Sequence, residues 1–169
     1  MEWRDRKIRG NVYRLGHLAP AILNVPAKDG TCVFSVRVTY GHHVFTRALE
    51  PQDTPDFHFS HDGDARCFCL IRHGLSLHLP SIFQKATRGG KAYFGETRNF
   101  LFAESVPGLQ GPYAVFFDIT KASEPGVDAV IFVVSAYHKP RLPNQLPKIR
   151  FDTLVRKAAA GEKMRKPSR

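Results

Sequence analysis

The sequence predicts one α+β domain, an antiparallel β-meander of four to six strands packed with two or three helices. Three observations point there. The 169 residues are 43% hydrophobic and 24% charged, which suffices to bury one core without disulfides or metal. The 13 phenylalanines fall largely in strand-length runs. Late in the chain three such runs follow one another across short turns, which makes neighbours antiparallel. Residues 1–139 are read as the α+β core. Residues 140–169 add a proline-rich linker, a helix and a basic tail to the same domain.

Along the chain, Leu15, Leu18, Ala19 and Ile22 recur at helical spacing, so Val12–Leu23 predicts a helix, with Pro20 shortening or breaking it. Pro26 and Asp29-Gly30 mark a turn. Cys32–Tyr40 alternates as a half-buried strand, and Val44–Leu49 is expected to continue the sheet. Pro51–Asp64 reads as a long polar loop and Arg66–Arg72 as a strand. The helix start lies near Ser76 or His78, with Pro80 in its first turn. Leu79, Ile82, Phe83 and Ala86 form its apolar stripe, and Gly89-Gly90 ends it. Strands are expected over Ala92–Phe94 or Asn99–Glu104, then Tyr113–Thr120, then Ala129–Tyr137. Val130–Val134 is apolar on both faces, which predicts a central, doubly covered strand. Pro140, Pro143 and Pro147 form the linker. Phe151, Leu154, Val155 and Ala158 share a face of the last helix, with Asp152 and Arg156 as an i,i+4 pair and Gly161 at its end.

The net charge is +10, and its placement matters more than its size. Residues 1–14 carry five basic and two acidic residues, residues 138–169 ten and two, while residues 15–137 carry ten and eleven. Basic ends on a neutral centre suit a polyanion. The expected partner is nucleic acid, RNA before DNA, or an acidic protein. No apolar run reaches the roughly 18 residues of a membrane helix, and the charged N-terminus lacks a signal-peptide core. With three cysteines, Cys67 and Cys69 too close for an ordinary disulfide, a cytoplasmic protein is expected.

Five constellations can carry chemistry. Ser135, Tyr137 and Lys139 alternate with His138 where the strongest strand leaves the core; Tyr137 and Lys139 can hold a phosphate and His138 can move a proton. Arg72-His73 lies between a strand and a helix start, a place for an anion. His42-His43 in a turn can supply an acid and a base. Glu96 and Arg98 precede a strand as base and phosphate clamp. The set His58, His61, Cys67, Cys69 and His73 matches no zinc spacing, so neither metal nor other cofactor is expected. Lys148, Arg150, Arg156 and Lys157 supply further phosphate contacts from the C-terminal segment. The absence of P-loop, G-x-G-x-x-G, H-E-x-x-H and G-x-S-x-G patterns argues against those chemistries.

The order of helix, strands, helix, antiparallel meander and basic tail, carried mainly by residues 60–139, resembles the small ribonucleases of the barnase, EndoU, colicin and RelE-like group. The resemblance is architectural, so no catalytic residue is carried over from it. It implies metal-independent RNA cleavage with His, Glu, Arg, Lys or Tyr on a sheet face. On the residues themselves, His43 or Glu96 would act as base and Arg72, Arg98 or Lys139 would stabilise charge. Three functions follow from the sequence: a nucleic-acid-binding module, in which Tyr93, Tyr113 or Tyr137 stack on bases; a toxin-type endoribonuclease; and a protein-interaction or inhibitor domain from a mobile element.

Overall fold

The computed structural model describes residues 2–95, 100–142 and 146–165. The strands are β1 (Arg6–Ile8), β2 (Asn11–Tyr13), β3 (Ala21–Pro26), β4 (Val33–Tyr40), β5 (Thr46–Ala48), β6 (His58–His61), β7 (Asp64–Phe68), β8 (Lys91–Phe94), β9 (Phe100–Glu104), β10 (Tyr113–Lys121), β11 (Ala129–His138) and β12 (Lys148–Arg150). The helices are α1 (Leu70–Ser76), α2 (Leu79–Ala86) and α3 (Phe151–Ala159).

The α+β class holds, but the sheet is not a plain antiparallel meander of four to six strands. It has seven strands in the order β12-β8-β9-β10-β11-β4-β3. The meander is its middle, β8 to β11. β4 then joins β11 in parallel, and β3 and β12 close the two edges in antiparallel register. β1 and β2 form a separate ribbon, and β5, β7 and β6 a three-stranded sheet. No helix among the described residues is long and apolar enough to cross a membrane.

The mixed sheet has one covered face. Val36, Val38, Phe102, Val115, Phe117, Ile131 and Val133 point to it and are each at most 2% exposed. α2 and α3 pack there: Phe83 meets Phe102 and Phe117 at ring distances of 5.3 and 5.7 Å, and Phe151 meets Phe102 at 5.5 Å. The stripe Leu79, Ile82, Phe83 and Ala86 is buried as its spacing requires, and so are Phe151, Leu154, Val155 and Ala158.

Several expectations fail for identifiable reasons. Val12–Leu23 is no helix; it holds the end of β2, a 3-10 turn at Gly16–Leu18 and the start of β3. Leu15 and Leu18 are buried by tertiary contacts, while Ile22 is exposed, so the helical spacing was accidental. Pro51–Asp64 is not one loop. Asp62 (φ 49°) and Gly63 (φ 82°) form a two-residue hairpin turn between β6 and β7, the conformation an Asp-Gly pair favours. β5 continues into that small sheet rather than the large one. Arg66–Arg72 is half strand and half helix, because the chain turns at Cys69 into α1. Cys69 therefore lies outside the strand that holds Cys67. Asp152 does not pair with Arg156. It takes two hydrogen bonds from Arg150 at 3.0 and 3.1 Å, and Arg156 pairs with Glu162 at 3.2 Å.

Candidate functional site

The second face of the large sheet carries the sequence-predicted residues that come together. β11 is irregular opposite Phe116 and Phe117: Phe116 pairs with Ser135 and Phe117 with Val133, so Val134 is skipped. This bulge reverses the alternation. Ala129, Ile131 and Val133 point into the core, and beyond the bulge Ala136 does. Without it Ser135 and Tyr137 would point inward. With it they stand on the second face, and β11 is not doubly covered, since Phe132 there is 45% exposed.

On that face the aromatic rings carry cations. Tyr137 stacks on Phe116 with centroids 5.4 Å apart and planes 22° apart. The Arg72 guanidinium, reaching over from α1, lies 5.0 Å from the Tyr137 ring. The Lys139 ammonium lies 5.8 Å from Phe116. Two strands away, Lys148 sits 5.2 Å over Tyr93. Register connects them across the sheet: Lys148 is opposite Tyr93, Tyr93 opposite Leu101, and Leu101 opposite Phe116. Tyr93, Phe116, Ser135 and Tyr137 are all half-buried. Such rings offer π-faces, and cations beside them suit phosphates.

The other predicted residues do not join this row. Tyr113 is fully buried; burial pushes its phenol pKa up. His138 turns to the Gln110 carbonyl. Arg72 and His73 lie inside α1 and part company: the Arg72 Nη1 donates to the carbonyls of His43 and Thr46 at 3.0 and 2.7 Å, whereas the His73 ring meets the Arg14 carbonyl at 2.9 Å. They are not a joint anion site. Arg150 is held by Asp152, and Arg156 and Lys157 by Glu162 at 3.2 and 3.1 Å. Glu96 and Arg98 lie outside the described residues. A groove of about 950 Å³ beside the end of α3 is lined by Asp118 and Glu162 as well as Lys121, Lys163 and Arg165. That mixed lining suits a polyanion less than the sheet face does.

A second cluster lies just beyond Arg72. Gly41 follows β4 where it runs close to β11; a Cβ there would stand 2.9 Å from the tip of the Phe132 ring and 3.3 Å from the Val133 carbonyl oxygen, so a larger residue would push these aside. The following 3-10 turn presents His42 and His43. Both Nε2 atoms lie 3.0 Å from Asp64 Oδ2, which the Asp62-Gly63 hairpin brings to them. Phe59 stacks on His42 at 5.7 Å, Trp3 edges onto it at 6.0 Å, and Arg66 Nε lies 3.9 Å from the same carboxylate oxygen. Hydrogen bonds from His42 and His43 hold the Asp64 carboxyl below the usual range, and burial pushes the His42 imidazole down. The sequence shows the histidine pair but not its carboxylate, because Asp64 is 21 residues from His43 and lies at the end of a polar, loop-like stretch.

An α+β chain with a seven-stranded mixed sheet, α2 and α3 on one face and a cation–aromatic row on the other is thus defined. It belongs to the YjaZ family, whose model matches residues 5–159. No curated protein and no solved structure matches the chain.

Proposed function

We propose that this protein binds single-stranded nucleic acid, RNA in preference to DNA, on the second face of its large sheet. The observation that carries the reading is the row Arg72, Tyr137, Phe116 and Lys139, with Lys148 and Tyr93 farther along the same face. Unpaired bases expose π-faces that stack on aromatic rings, and a duplex does not offer them. The bases pack on Tyr137, Phe116 and Tyr93. Arg72, Lys139 and Lys148 meet phosphates. Ser135 stands opposite Phe116 on the same face, and its hydroxyl can bond a 2′-hydroxyl, the group that separates RNA from DNA.

Fluorescence anisotropy with a labelled single-stranded RNA, the matching DNA and an RNA duplex tests this. Single-stranded RNA is expected to bind best. If three cations each neutralise a phosphate, the slope of log K against log salt is about −2. Absent binding, or a preference for duplex, would overturn the reading.

A further inference from the structure

We propose that His42, His43 and Asp64 form a binding site for one divalent transition-metal ion, zinc in the first place. The two Nε2 atoms and a carboxylate oxygen all lie within 4.8 Å of one another, and each nitrogen is 3.0 Å from Asp64 Oδ2. Zinc bonds of about 2.0–2.2 Å at tetrahedral angles place neighbouring ligand atoms roughly 3.3–3.5 Å apart. The two nitrogen–oxygen distances therefore need to lengthen by only a few tenths of an ångström to admit the ion, and the two nitrogens, within 4.8 Å of each other, need only settle to the same spacing. An N₂O donor set of two imidazoles and one carboxylate suits zinc and its neighbours rather than magnesium or calcium.

The supports of the ligands are in place. The Thr46 hydroxyl donates to the His42 carbonyl at 2.8 Å and Arg72 to the His43 carbonyl at 3.0 Å, which holds the histidine turn. The hairpin at Asp62-Gly63 holds Asp64. Trp3 and Phe59 wall the His42 side. Three protein ligands leave a fourth position for water or a substrate oxygen, as in catalytic rather than closed structural zinc sites. Arg66 Nε stands 3.9 Å from Asp64 Oδ2. The His-Cys spacing of residues 58–73 does not supply the site: among the described residues, His58, His61, Cys67, Cys69 and His73 form no such group. Arg72 is common to this site and to the sheet face, through its bond to the His43 carbonyl, but none of the three ligand residues belongs to the aromatic row.

Chelator-stripped full-length protein is titrated with Zn²⁺ by calorimetry, beside the folded variants His43→Gln and Asp64→Asn. One equivalent is expected to bind. Each variant is expected to weaken binding at least as much as the roughly 10- to 100-fold that loss of an outer-shell partner causes. Co²⁺ in place of Zn²⁺ is expected to give visible bands of a tetrahedral site without thiolate charge transfer. Zinc binding that is absent, or unchanged in both variants, would sink the proposal, and so would thiolate bands, which would assign the ion to cysteine. His43 is half-exposed, so His43→Gln gives a reading even if Asp64→Asn does not fold.

Discussion

The two faces of the large sheet are built from the same strands and differ only in which alternate residues they show. The covered face presents Phe102, Val115, Phe117 and Ile131 to α2 and α3. The other presents Tyr93, Phe116, Phe132 and Tyr137 with Lys139 and Lys148 above them. Both are rich in aromatics, so hydrophobicity alone does not tell them apart. The difference is that one set of rings has helices to pack against and the other has cations. A ring on the first face is sealed into the core; Tyr93, Phe116 and Tyr137 on the second are half-buried and Phe132 is exposed.

The largest effect that separates the faces is on stability. Phe117→Ala leaves a cavity under α2 and is expected to cost about 3–5 kcal/mol, whereas Phe132→Ala, at a side chain 45% exposed, costs about 1 kcal/mol or less. Urea denaturation of the two variants measures both. Equal losses would mean that the second face is packed as tightly as the first.

Binding should divide in the opposite way. Tyr137→Leu keeps apolar bulk but removes the ring on which a base stacks, so affinity for single-stranded RNA falls by about 1–3 kcal/mol, with little change in the denaturation midpoint. Anisotropy at fixed salt reads it. Unchanged affinity in this variant and in Phe116→Leu would take the sheet face out of RNA binding.

The cations sharpen the contrast further. Lys148 stands over Tyr93, while Arg156 of α3 is tied to Glu162, just past the helix end. Lys148→Ala is expected to lower the salt slope by about 0.7, the share of one phosphate on a single strand. Arg156→Ala should leave the slope nearly unchanged. Identical slopes in both variants would point to diffuse tail charge rather than a placed contact.

The smallest effect lies away from both faces and depends on pH. The Arg47 hydrogen bond to Asp53 holds that carboxyl down, at about 2. A depressed carboxyl contributes stability above its unfolded pKa of about 3.9 and loses it as pH falls through the folded value. The difference in Tm between the protein and Asp53→Asn should be full at neutral pH and shrink between about pH 4 and pH 2. A constant difference across that range would show that the ion pair is not its source.

Much of the fold was legible where pattern and packing agree. β4, α2, α3 and the meander strands were read because their period matched a single buried face. The region between residues 12 and 72 was legible only in part. There, tertiary contacts bury Leu15 and Leu18 without a helix, and β6 is a short strand whose apolar content is slight. Of the site, Tyr137, Lys139, Lys148 and Arg72 were legible as residues, and their stacking was not. That depends on the bulge at Val134, where nothing in the apolar run Ala129–Val134 announces a change of face. The partner of His42-His43 was hidden for a related reason, since a carboxylate on another hairpin leaves no local spacing.

The sequence by itself determined the α+β class, the residues of the main helices and inner strands, and the concentration of positive charge at the two ends. These follow from periodicity and composition, which act locally. Only the tertiary structure decided that β4 would lie parallel to β11 and that Arg150, Arg156 and Lys157 would be paired with carboxylates, whereas Lys148 has no such pair among the described residues. It also brought Asp64 to His42 and His43. Such outcomes depend on which distant elements meet, and a strand's pattern records which of its faces is buried but not what comes to lie against the other.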